Sequence, residues 1–150
     1  MKKIKKIKAI NIDTNDLYFQ YIPEKFFREL YTGKTEDMLS LINTPHYRFL
    51  ILYEKVGDGI WDQYKDTDYV KLMMRWGRND KFNKKKVSKF IETYKSIKKK
   101  GFQGRISVLN KPINKKNFEH GYEIYHGHHR ASICKFLGYR NMPCMIYKLK

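Results

Sequence analysis

The chain reads as an α+β domain, because helical and strand signals alternate along its second half. Val87, Phe90, Ile91, Tyr94 and Ile97 recur at the 3.6-residue period of a helix with one apolar face. Three short runs follow that helix, Arg105–Leu109, Tyr122–Tyr125 and Cys144–Leu149, each suited to a strand. A further helical stretch, Arg130–Leu137, separates the last two, and helices between strands imply a sheet covered by packed helices.

Taken in order, Lys6–Ile12 alternates weakly and predicts a first strand. Pro23–Tyr31 predicts a helix, with Pro23 at the first helical position, Glu24 after it and Gly33 just past the end. Thr35–Asn43 predicts a second, short helix, with Thr35 as cap and acids at 36 and 37. Thr44-Pro45 breaks it, and His46–Lys55 reads as an apolar, aromatic helix closed by Gly57-Asp-Gly59. The Trp-, Tyr-, Asp- and Gly-rich stretch from Asp58 is irregular until a helix from about Asp68 to Trp76. The long helix follows Asn83, with lysines on its polar face and Gly101 as its end. Gly138 closes Arg130–Leu137 in the same way. Residues 1–150 thus form one domain, in which 84–150 is the core and 1–83 a mainly helical N-terminal extension packed on it.

A length of 150 residues supports a single hydrophobic core, and 41% hydrophobic with 15% aromatic content is globular rather than disordered. Lys and Arg outnumber Asp and Glu by 32 to 15, giving a net charge of +17. Such a field attracts polyanions and anionic ligands. The accompanying Ile, Asn and Tyr bias is also what an AT-rich coding sequence produces, so both causes stand. Two cysteines, Cys134 and Cys144, exclude a disulfide framework and a four-cysteine zinc site, and fit a reducing compartment. No apolar run approaches the ~20 residues needed to span a bilayer. The start, Met1 to Lys8, has no apolar segment behind its lysines and no cleavage site, so it reads as a solvated edge strand and the chain as cytoplasmic.

The chemistry concentrates in Gly121-Tyr-Glu-Ile-Tyr-His-Gly-His-His-Arg130 and the Ala131–Gly138 segment after it. A strand, a glycine turn and a helix start place His128, His129 and Arg130 at a helix N-terminus. Free backbone N–H groups and the positive end of the helix dipole favour an anion there. Arg130 adds a planar fork of donors, His129 one more, and Gly127 allows close backbone approach.

The run Ser96-Ile-Lys-Lys-Lys-Gly101, then Ile106-Ser-Val, Tyr122 to Ala131, Leu137-Gly138 and Met142-Pro-Cys resembles the ParB/sulfiredoxin superfamily. The similarity covers about Lys84 to Lys150. It implies a ParB/sulfiredoxin-like mixed sheet and a nucleotide site. In sulfiredoxins a Gly-Cys-His-Arg turn grips the phosphates of ATP. Its counterpart here is Gly127-His128-His129-Arg130, and His128 in the cysteine's place argues against sulfinic acid reduction. The resemblance also assigns Lys89 and Ser96, seven residues apart, to the nucleotide. Related folds bind CTP as a clamp or phosphorylate free serine, and many carry Asp before the turn glycine where this chain has His126. ParB partition proteins continue into a helix-turn-helix domain, and the end of this chain at the last strand argues against site-specific DNA partitioning. The remaining sequence, including Thr44-Pro-His-Tyr-Arg48, is similar to short ParB-like proteins encoded among surface-polysaccharide genes.

The resemblance therefore implies an ATP-dependent phosphotransferase, using ATP or another nucleotide with Mg²⁺, acting on a small hydroxylated molecule or glycan precursor. Such a reaction needs a carboxylate to orient the acceptor hydroxyl. Asp68 is the candidate, with Asp66, Glu24 and Glu123 as alternatives and helix capping as the competing role for Asp68. His128 is a candidate proton shuttle. Arg75 and Arg78, interleaved with Tyr69 and Trp76 and flanked by Lys71 and Arg48, form a candidate face for an anionic substrate, or else an ordinary amphipathic helix. His120, His126, His128 and His129 do not follow a zinc-ligand spacing, so no metal ligands are assigned. Two other readings stay open. One is a non-enzymatic DNA- or RNA-binding protein with the +17 charge as its footprint; the other is a nucleotide-gated switch without turnover.

Overall fold

The computed structural model describes residues 4–19, 39–109 and 121–149. Over these residues the chain is α+β: a five-stranded mixed sheet with helices packed on it. The strands are β1 (Ile4–Asp13), β2 (Leu17–Tyr18), β3 (Ile106–Leu109), β4 (Tyr122–His126) and β5 (Asn141–Leu149). Their order is β1-β5-β3-β4-β2. β5 runs antiparallel to β1 and parallel to β3, while β4 is antiparallel to β3 and parallel to β2.

The sheet redraws the expected boundary between core and extension. Two of its five strands come from the first 18 residues, so the sheet draws on both 1–83 and 84–150, while 39–83 is mainly helical as expected. β1 is an edge strand whose Lys5 to Ala9 are exposed, as the lysine-rich start predicts. Its partner β5 begins at Asn141 rather than Cys144, because the pairing with β1 continues through Pro143 to the Asn141–Asp13 pair.

Helix α1 (Pro45–Val56) starts where Thr44 Oγ1 accepts a hydrogen bond from the Tyr47 N–H at 3.3 Å, with Pro45 in the first turn. Two 3-10 segments, Gly57–Asp62 and Tyr64–Asp66, fill the irregular stretch. Helix α2 (Asp68–Arg75) is capped by Thr67, whose Oγ1 accepts from the Val70 N–H at 3.3 Å. Asp68 is therefore not the cap; its carboxylate lies 3.4 Å from the Arg48 guanidinium. Helix α3 (Asp80–Lys100) begins earlier than expected, because Asn79 Oδ1 accepts from the Phe82 N–H at 2.8 Å and Asp80 complements the dipole in the first turn. Helix α4 (His128–Phe136) begins at His128 rather than Arg130, since the left-handed Gly127 ends β4 directly. The predicted Pro23–Tyr31 helix lies outside the described residues, as does most of Thr35–Asn43, whose last residues, Leu41–Asn43, form a 3-10 turn.

The core is continuous between helices and sheet. Phe49 and Leu50 of α1, Tyr69 of α2, Val87 and Phe90 of α3, and Ala131, Ile133 and Cys134 of α4 are buried with Ile106, Val108, Ile124 and Cys144 of the sheet. Rings dominate the junction of α1, α2 and α3: Phe90 lies 5.2 Å from Phe49 and 5.1 Å from Tyr69. Both cysteines are free and buried, and burial pushes their thiols up to about 12, so they act as small apolar side chains. Among the described residues no helix is long and apolar enough to cross a membrane.

Candidate functional site

Helix α4 differs from its neighbours at the cap position before its first residue. Gly127 has φ 110° and ψ 26° and supplies no side-chain cap. A Cβ there would sit 2.5 Å from Ile106 Cγ2, so the turn can close onto β3 only as glycine. The Ala131 N–H is bonded to the Gly127 carbonyl at 2.8 Å. The N–H groups of His128, His129 and Arg130 precede it and have no intrahelical acceptor.

These groups open onto a cavity of about 460 Å³ whose other wall is α3. Lys86, Lys89, Phe90 and Thr93 line it from α3, and His126, Gly127, His128, His129 and Arg130 from the β4–α4 turn. Residues 82, 86, 89 and 93 form one stripe of α3, which aims both lysines at the end of α4. Arg130 reaches across, with one guanidinium nitrogen 3.3 Å from the Arg105 carbonyl oxygen. Among the described residues no carboxylate lines this cavity. Three cations, free amides and a helix dipole thus face one concavity with no acid among the described residues to neutralise them, an arrangement suited to a multiply charged anion.

The two histidines of the turn play parts other than cationic donors. His129 Nε2 and Tyr69 Oη share a hydrogen bond of 2.7 Å, and the ring packs edge-on against His46 and Phe90 at 4.7 and 4.8 Å. Burial, and then the repulsion of His128, Lys86 and Lys89, holds its pKa down to about 3. His129 is therefore a neutral wall, fixed by a residue 60 positions away. His128 packs on Phe19 at 4.7 Å, and burial followed by His126 lowers it to about 4. It is uncharged at neutral pH and poorly matched to shuttling protons there.

The remaining sequence candidates divide. Lys89 joins Gly127, His129 and Arg130 in the main cavity. Ser96 does not; one turn beyond Thr93, it lines an adjoining cavity of about 420 Å³ that shares Thr93 and Arg130 and carries the carboxylate of Glu92. Arg78 lines a third cavity on the opposite flank, and Arg75 lines none of the three. Asp68 also lines none of them and is paired with Arg48, while Glu123 is fully buried in β4. Neither carboxylate is brought to the main cavity, because one faces α1 and the other lies within the fold. Sequence reasoning missed Lys86 and Thr93 as lining residues, although both follow from Lys89 by helical spacing. It also missed the pairing of Tyr69 with His129, for which nothing in the local sequence gives a signal.

The donor set suits a multiply charged anion. It does not suit a Mg²⁺ ion held by the protein in the main cavity, where the described residues offer no carboxylate ligand. Among the described residues no three His, Cys, Asp or Glu side chains cluster as metal ligands. Comparison with protein-family models, curated proteins and solved structures finds no match for this chain.

Proposed function

We propose that this chain is a nucleotide-binding protein of ParB/sulfiredoxin-like type, which holds the phosphates of ATP or a related nucleotide between α3 and the N-terminus of α4. The observation that carries the reading is the convergence of Lys86, Lys89, Arg130 and the uncapped α4 amides on one cavity, with no carboxylate among the described residues that line it. Arg130 grips phosphate oxygens with its fork, the lysines neutralise charge, and Gly127 lets the backbone approach. Ser96 stands beyond Arg130, toward the far end of a polyphosphate.

This arrangement supports binding more directly than transfer. A phosphotransferase needs an acid beside the acceptor hydroxyl, and the described residues put none in the main cavity. Recognition of a nucleotide with little or no turnover, as in a switch, is therefore the reading the geometry favours over a kinase acting on a small hydroxylated molecule or glycan precursor.

A thermal-shift series with ATP, ADP, CTP and GTP, each with and without Mg²⁺, tests the proposal. At least one nucleotide raises the melting temperature by several degrees, and Arg130→Ala removes the shift. The competing nucleic-acid reading, built on the +17 charge, expects tight oligonucleotide binding that falls steeply with salt and survives Arg130→Ala with little loss. Absence of a shift with every nucleotide overturns the proposal.

A further inference from the structure

A smaller cavity of about 190 Å³ flanks the phosphate cavity, walled by Leu72, Met73, Trp76 and Phe82 with Arg78 at its edge. The two cavities share Lys86 and His129, so a single ligand can occupy both. Their characters differ: the first is dominated by cations and the amides of the α4 turn, the second by apolar and aromatic side chains, with the cations Arg78 and Lys86 among its lining residues.

Three features suit the smaller cavity to a flat ring. Trp76 is 50% exposed and has no ring partner among the described residues. Its backbone is set by the turn after α2, which closes with the Gly77 N–H on the Met74 carbonyl and the Arg78 N–H on the Met73 carbonyl, at 2.9 and 3.1 Å. Phe82 is likewise fixed, with the Arg78 guanidinium 4.9 Å and the Lys86 ammonium 5.6 Å from its centroid. Finally, His46 lines the cavity while only 7% exposed, and its Nδ1 has no hydrogen-bond partner among the described residues. An unfilled hydrogen bond on a buried side chain favours a ligand that brings the missing partner. Burial holds His46 neutral, so the partner need not be charged. The adjoining cavity on the other flank, with Glu92, Lys100 and Gln103, is larger and more polar, and makes no comparable slot.

Resting on the phosphate site proposed above, we infer that the Trp76 pocket receives the heteroaromatic base of the nucleotide whose phosphates lie against Lys86, Lys89 and Arg130. Trp76 supplies the stacking surface, Leu72 and Met73 the apolar bed, and His46 a neutral hydrogen-bonding group. The ribose then passes over the shared wall of Lys86 and His129.

Tripolyphosphate, which carries the charge without the base, separates the two halves of the site. Trp61→Phe leaves Trp76 as the sole tryptophan, so its fluorescence reports on the pocket directly. ATP, CTP or GTP quenches that fluorescence over the same concentration range that raises the melting temperature, whereas tripolyphosphate raises the melting temperature without quenching. Trp76→Ala, at an exposed position, weakens nucleotide binding about tenfold while leaving tripolyphosphate affinity unchanged, and Trp76→Phe restores most of the loss. If nucleotides bind without quenching, or bind no tighter than tripolyphosphate, the base lies elsewhere and the inference falls while the phosphate site stands. If neither nucleotides nor tripolyphosphate bind, both fall together.

Discussion

The N-termini of α3 and α4 face the same problem and solve it in opposite ways. α3 is closed from within: Asn79 caps the Phe82 N–H and Asp80 adds negative charge to the first turn. α4 has a glycine where the cap would be, no acid in its first turn, and the cationic groups of Lys86, Lys89 and Arg130 around it. The first arrangement spends the helix dipole on the fold. The second leaves it directed at a cavity, and adds like charges that no acid among the described lining residues neutralises. A helix end that concentrates positive charge without an internal partner is stabilised most by an anion from outside.

Substitutions can break the contrast. Gly127→Ala forces a Cβ into Ile106 at a φ of 110°, and strain plus overpacking costs about 2–4 kcal/mol of stability. Chemical denaturation measures that loss, and the nucleotide-induced thermal shift disappears with it. A variant of unchanged stability would show that the turn has another conformation open to it.

Acid sharpens the comparison through the neutral histidines in the first turn of α4. His128 and His129 are lowered to about 4 and about 3, mainly by burial, from 6.5. Between pH 6.5 and 4 the unfolded chain therefore binds more protons than the folded one, so stability is present above 6.5 and is lost as pH falls. The melting temperature drops across that window, and His129→Asn makes the decline shallower. Equal slopes for the two proteins would mean that His129 is not held neutral in the fold. The smallest effect is at the closed end. Asn79→Ala costs about 1 kcal/mol by denaturation and leaves nucleotide affinity unchanged, because that cap serves α3 alone.

Much of the second half was legible because its signals are local. The 3.6-residue period of Val87 to Ile97, the β-rich runs around it and the glycines at 101, 127 and 138 each act within a few residues. Boundaries shifted where a side chain or a partner strand intervened: Asn79 starts α3 earlier, and pairing with β1 extends β5 backward. The first half was harder to read, because β1 and β2 are defined by strands more than a hundred residues away. A ten-residue strand rich in lysine carries only a weak period of its own, and its place at the sheet edge is what lets those lysines stay solvated.

The same division runs through the site. Sequence alone determined that Gly127, His129 and Arg130 open a helix after a strand, since glycine geometry and helix polarity are properties of a few consecutive residues. It also determined that the charge around them is positive. Tertiary structure decided which side chains join them: Lys86 enters beside Lys89 while Ser96 falls into the next cavity, and Asp68 turns to Arg48. It decided, too, that His129 is a half-buried neutral ring tied to Tyr69 rather than an exposed cation. Those outcomes depend on how α1, α2, α3 and α4 pack around one aromatic core, and packing between distant segments leaves no pattern in either segment read by itself.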